Sequence, residues 1–261
     1  MFTIFTTFYI SSFIRQSNSI MKNQLSAMAN NYKYTLDNYK ELAEGLTIDD
    51  AIQEYIVSDG PKDKEYYTLV NNAKNTLQNA LNMYSNMEFI AIISNNFDDV
   101  LYKGKISKIS NTFSDLYDDD YSSSMFCCEL GTLRMSFNDA YLQDGENMLN
   151  VYMPVYSVTK MINDNGLICM IFNGGLFQGI TGENTINLDS EVLMIDGANA
   201  IISSTGDDIV GATFDYADRM QGDSGNFMIR SILYNYQKIE KWNFYLISKI
   251  PLMDIYKDSI L

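Results

Sequence analysis

Arg134 is the side chain in this sequence best suited to hold a small anion, because a guanidinium presents a planar fork of donors that matches a carboxylate. A salt bridge is the competing reading of the same residue, since 33 Asp and Glu outnumber 18 Lys and Arg. Tyr117, Tyr121, Tyr141 and Tyr152 carry amphipathic rings of the kind that line small-ligand sites. With 19 tyrosines in the chain, each of them also reads as a packing residue. Catalysis has little to work with. The sequence contains no histidine, which removes the Ser-His-Asp and Cys-His systems in their usual forms and any zinc site built on imidazole. Three cysteines cannot make a four-thiolate site. Cys127 and Cys128 are adjacent, where a disulfide would be strained, so they read as free thiols in or beside a strand. Cys169, in the apolar run GLICMIF, reads as a small core residue. The acidic run SDLYDDD at residues 114–120 lacks the ordered oxygen ligands and glycine turn of a calcium loop and reads as a solvated loop. The carboxylates show no spacing that singles out an acid/base pair. The expectation is a binding protein without catalytic residues, cofactor or metal.

The element that must organise such a site is a long helix over residues 17–45. Met21, Leu25, Met28, Tyr32, Leu36, Tyr39 and Leu42 recur three or four apart, so one apolar stripe runs its length. Gly45 is expected to stop it as a left-handed C-cap, giving a rod of roughly 40 Å at 1.5 Å per residue. Residues 1–16 form an apolar leader whose first 14 are uncharged. A full span needs about 20 apolar residues, so this stretch reads as the outer end of a transmembrane helix, or else as a buried or interfacial segment. The net charge of −15 and pI near 4.3 exclude nucleic acid as a partner, since phosphate binding needs a basic patch. The cysteine usage suits either side of a membrane.

After the stalk, TIDDAIQEYIV forms a short helix behind Thr47, and residues 64–85 form a second amphipathic one. From residue 87 the period changes from helix to strand. EFIAIIS and VLYKGKI read as a hairpin. A short helix around TLRMSFNDAY is expected next, followed by strands NMLNVYMPVYSV and GLICMIF. A second, smaller series follows: EVLMID, a turn at Asp196 and Gly197, AIISST, IVGATF, a short helix at residues 215–220, then NFMIRS, ILYNYQKI and WNFYLISKI, ended by Pro251. Trp242 is placed on that closing strand as a structural residue. A final helix starts with MDIYKDSIL. The fold class is α+β, a long N-terminal helix followed by two antiparallel-sheet modules. Residues 46–185 form the first module, and residues 186–261 the second with its exit helix.

This order of weak motifs resembles the double Cache extracytoplasmic sensor domains of bacterial sensor histidine kinases, chemoreceptors and diguanylate cyclases, whose modules are PAS-like. EVLMIDGANAIISSTGDDIVGATF and WNFYLISKIPLMDIY carry the closest likeness, and FIAIISNNFDDVLY, VYMPVYS and GLICMIF stand where the family has its first sheet. The resemblance implies a ligand site in the membrane-distal module. Members that bind amino acids carry an Arg-x-Trp-Tyr-x-x-Ala run before the last two strands. Here that run reads Arg134, Met135, Ser136, Phe137, Asn138, Asp139, Ala140. Arginine and alanine are kept, Ser136 replaces the tryptophan, and Phe137 replaces the tyrosine. The family's later tyrosine falls on Tyr141 or Tyr152, and its final-strand aspartate on Ile171, which is apolar. Carboxylate binding survives the comparison, and ammonium recognition loses its partner.

The resemblance thus implies an extracytoplasmic domain that senses a small molecule, with an organic carboxylate as the expected ligand class, and passes a helix displacement to an output domain beyond Leu261. It also implies a membrane held through flanking helices, and a homodimer in the intact receptor. A surface-anchored hydrolase or lyase, and an adhesion or partner-binding module, are the competing classes.

Overall fold

A computed structural model of the chain describes residues 2–58, 62–94, 100–104, 126–130, 133–138, 148–155, 166–173, 191–206 and 211–252. The chain divides into two compact units, Leu36–Gly174 and a second made of Met1–Thr35 with Gly175–Leu261. One helix, α1 (Phe2–Thr47), contributes to both. Its stripe packs inward: Met21, Leu25, Met28, Tyr32, Leu36 and Tyr39 are each buried, and Leu42 is half-buried. Leader and stalk are therefore a single helix, although none of the described helices is long and apolar enough to cross a membrane. Gly45 lies within α1 rather than ending it. The stop is made two residues later, where Gln53 Nε2 donates to the Thr47 carbonyl at 2.5 Å. Asp49 then caps α2 (Asp50–Ile56) by accepting from the Ile52 amide. A side-chain cap has taken the role expected of a left-handed glycine. In α3 (Lys64–Met83), the Asp63 carboxylate accepts from the Glu65 and Tyr66 amides, and Ala73, Leu77 and Ala80 face inward.

In the unit Leu36–Gly174 six strands form one antiparallel sheet. They are β1 (Met87–Ser94), β2 (Val100–Gly104), β3 (Phe126–Leu130), β4 (Leu133–Asn138), β5 (Met148–Val155) and β6 (Gly166–Asn173), in the spatial order β2-β1-β6-β5-β4-β3. The helix expected around TLRMSFNDAY is the strand β4, paired with β3 from Leu133 to Ser136 and with β5 from Arg134 to Asn138. The reason is visible in its composition. Leu133, Met135 and Phe137 alternate with Arg134, Ser136 and Asn138, a period of two that a strand uses and a helix does not.

The central strand β6 is buried from Leu167 through Phe172, so both faces of the sheet are covered there. On one face Phe172 stacks on Tyr39 of α1, with ring centroids 3.7 Å apart and 16° between planes. Tyr84 meets both rings edge-on. Asn86 Nδ2 donates to the Tyr39 hydroxyl at 2.5 Å.

The second unit holds β7 (Glu191–Ile195), β8 (Ile201–Ser204), β9 (Ser224–Ile229), β10 (Ile232–Lys238) and β11 (Tyr245–Pro251), in the order β8-β7-β11-β10-β9. The winding repeats that of the first sheet, with the opening strand lying between its hairpin partner and the last strand. Asp196 closes the β7–β8 turn by accepting from the Ala198 and Ala200 amides, as its hairpin role predicts. Trp242 is buried in the turn before β11 rather than on the strand, where its amide donates to the Ile239 carbonyl. A 3-10 turn at Ala217–Arg219 stands where a short helix is expected. Met21 of α1 packs on Leu233, Ile250 and Leu252. The exit helix expected after Leu252 lies outside the described residues.

Candidate functional site

The first sheet sets its candidate residues in rows. Arg134 pairs with Tyr152, which pairs with Cys169, which pairs with Ala91. Two residues along, Ser136 pairs with Asn150, which pairs with Ile171, which pairs with Phe89. Residues directly opposite, and those two apart on one strand, share a face. Arg134, Ser136, Tyr152 and Ile171 therefore belong to one face. Phe137 belongs to the intervening row with Leu149 and Phe172, the row that meets Tyr39. Tyr117, Tyr121 and Tyr141 lie outside the described residues.

Two strand spacings and two residues separate Arg134 from Ile171, so their Cα atoms stand roughly 12 Å apart. Tyr152 is 2% exposed and Ile171 0%, with Phe89, Ala91 and Cys169 equally closed to solvent around them. A polar ligand entering this face loses its water, and an ionic group on it then needs a full partner. Arg134 is the only cation in these two rows, and Glu129 of β3 is its direct cross-strand partner. Sequence reasoning missed Phe89, Ala91, Cys169 and Asn150 as neighbours of the site. Cys169 was legible only as core. Strand alternation was the available signal, but it needs the register between strands, which no local pattern states.

The corresponding face of the second sheet is filled by its own side chains. Leu193, Ile195, Phe214, Tyr234, Tyr236 and Ile247 form a buried cluster, with Tyr216, Met220 and Phe227 packed against it. Phe227 stacks on Tyr234 at 4.9 Å between centroids. The Tyr236 hydroxyl accepts from the Gln221 amide and donates to the Gln221 carbonyl, both at 2.8 Å. Its ring passes over Gly225, where a Cβ would come within 2.4 Å of the hydroxyl oxygen. Only glycine lets this plug close. The winding is shared by both sheets.

No family model and no curated protein matches the chain in sequence. Solved structures match it in shape. The sensory domain of a Campylobacter jejuni chemoreceptor superposes with a TM-score of 0.65 at 12% identity, over 96% of this chain and 99% of that one. The chain has the double Cache fold. The ligand-binding domain of a Pseudomonas fluorescens chemoreceptor, solved with L-isoleucine, matches with a TM-score of 0.62 at 12% identity, over 96% and 98% of the two chains. That of a Pseudomonas aeruginosa amino acid chemoreceptor, solved with GABA, matches with a TM-score of 0.60 at 13% identity, over 90% and 99%. The double Cache comparison accounts for the architecture: a long leading helix and two PAS-like antiparallel sheets, as the sequence motifs predict. At these identities it is a likeness of fold.

Proposed function

We propose that this double Cache chain is the extracytoplasmic small-molecule sensor of a bacterial transmembrane receptor, and that it has no chemistry of its own. The observation that carries the reading is the arrangement around β6. Ile171 lies on the face shared with Arg134, Ser136 and Tyr152, and the next residue, Phe172, stacks on α1 through Tyr39. A ligand that shifts β6 acts directly on the helix behind it. We assign ligand binding to a membrane-distal module over residues 46–185, and the return path to residues 186–261. The helix displacement would reach a cytoplasmic output domain of kinase, cyclase or chemoreceptor type.

The ligand is an organic carboxylate rather than a free amino acid. Arg134 supplies a charge-assisted pair for the carboxylate, about 1.5–3 kcal/mol for hydrogen bonds to a charged group. An ammonium next to Ile171 would be desolvated without a partner, at a penalty of several kcal/mol. A thermal-shift screen of organic acids, amino acids, amines and sugars tests this. An organic acid at about 100 times its Kd should stabilise the chain by about 2.7 kcal/mol, and Arg134→Ala should abolish the shift. Amino acids as the sole hits, or a hit that survives Arg134→Ala, would sink the assignment.

In the intact receptor we place a homodimer contact on α1. The stripe from Met21 to Tyr39 is buried within the chain and is not free to pair. The outward face carries Ile20, Ala27 and Tyr34 at heptad spacing, with Ile20 43% and Tyr34 67% exposed. Single cysteines from Asn23 to Asn38, introduced in membranes, should cross-link most at Ala27, Asn31 and Tyr34. A profile without helical period would remove the contact.

A further inference from the structure

Four buried polar atoms have no hydrogen-bond partner among the described residues: Asn18 Oδ1, Gln24 Oε1, Asn235 Nδ2 and Ser248 Oγ. All belong to the unit formed by Met1–Thr35 and Gly175–Leu261. Asn18 and Gln24 are on α1, three residues to either side of Met21. Asn235 and Ser248 are direct cross-strand partners on β10 and β11, 2% and 0% exposed. The groups are complementary in type: the amide oxygens on the helix are acceptors, and the amide NH2 and hydroxyl on the sheet can donate.

Their levels coincide. Met21 packs on Leu233 and Ile250. Asn235 and Ser248 are the next residues on the same face of those strands, about 6.7 Å further along. The buried stripe of α1 continues from Met21 through Leu25 and Met28, and the same sheet face continues buried through Val192, Met194 and Leu246. The arrangement that buries both ladders against each other has helix and rows climbing together. Gln24 stands about 4.5 Å beyond Met21 along the helix axis, within one helical turn of the Asn235–Ser248 pair.

We propose that Gln24, Asn235 and Ser248 form a polar latch that gives α1 two positions. In the position observed the three groups are apart. A helix shift of about 1–2 Å, the usual size of such movements, brings Gln24 Oε1 onto Asn235 Nδ2 or Ser248 Oγ and closes the latch. Leaving buried polar groups unpaired disfavours the open position, and the packing of Met21 on Leu233 and Ile250 favours it. The two effects oppose each other, and the latch requires them to balance to within a few kcal/mol. The inference rests on α1 being the moving part in the proposed sensor, but its test needs no ligand.

NMR relaxation dispersion on the amides of residues 21–28, in the whole chain without ligand, should detect exchange on the μs–ms timescale. Gln24→Leu and Ser248→Ala should each quench that exchange. Each should also raise Tm by about 2–4 °C, since an unpaired buried group is replaced by an apolar one. Asn235→Leu should do the same, and where that bulkier change prevents folding, the first two variants decide alone. Absence of exchange in the parent chain overturns the latch. So does exchange that persists in both variants, or a fall in Tm on Ser248→Ala, which would mean that the hydroxyl is already bonded. A failed ligand screen leaves these readouts untouched, and a failed latch leaves the carboxylate site standing.

Discussion

Tyr39→Ala is expected to remove about 3–5 kcal/mol of stability, the range for losing a large buried aromatic side chain. Tyr39 is 1% exposed and stacks on Phe172 at the centre of the first sheet. Truncation opens a cavity between α1 and β6 and leaves the Asn86 amide without its acceptor. Tyr39→Phe keeps the stack and loses the hydrogen bond, so about 1–3 kcal/mol should go, most of it from stranding Asn86. Urea melts of the two variants separate ring packing from the bond. The same burial has a pH signature. Desolvation pushes the Tyr39 hydroxyl up to about 12, against the opposing effect of the Asn86 bond, and burial raises Tyr32 as well. The unfolded chain ionises its tyrosines near pH 10. Stability should therefore hold below pH 10 and fall by up to about 1.4 kcal/mol per pH unit for Tyr39 between pH 10 and 12. Tyr39→Phe should flatten part of that slope, and an unchanged slope would assign the loss to other tyrosines. If α1 reads the sheet through this contact, both substitutions also weaken the transmission of a bound state while leaving Arg134 in place.

The helices and most strands were legible because their apolar residues keep a local period. The α1 stripe, the β1–β2 hairpin and the three closing strands all follow from spacing alone. The helix end at Thr47 was not, because the decisive partner is the Gln53 side chain six residues away, and Gly45 offered a more familiar stop. The β4 segment reads as a helix although LRMSFN alternates strictly, since six residues are too few to fix a period when no neighbouring strand is known. The same gap limits the site. Arg134, Tyr152 and Ile171 share a face only through the registers β4–β5 and β5–β6, and those pairings join residues far apart in sequence. Phe137, one residue from Ser136, falls in the alternate row for the same reason. What closes the second sheet was equally hidden: Tyr236 plugs it only because Gly225 lies beneath the ring.

Ile171→Asp should have the other large effect, because it puts a carboxylate into a row of the first sheet that is closed to solvent. Ile171 is 0% exposed, between Phe89 on β1 and Asn150 on β5. A carboxylate placed there without a partner should destabilise the chain by about 3–5 kcal/mol at neutral pH, the range for an uncompensated buried charge. Burial disfavours the charged form, so the introduced carboxyl has its pKa raised in the folded state. Its neutral form is the better tolerated one, and the loss should shrink as pH falls from 8 towards 5. Urea unfolding at the two pH values measures this directly; an equal loss at both would place the cause in volume and packing rather than charge. The ligand preference should change with it. An ammonium now has a partner opposite Arg134, so α-amino acids should recover part of the lost stability in the variant and none in the parent chain. Recovery that persists after Arg134→Ala is added would mean that the two positions do not share one ligand.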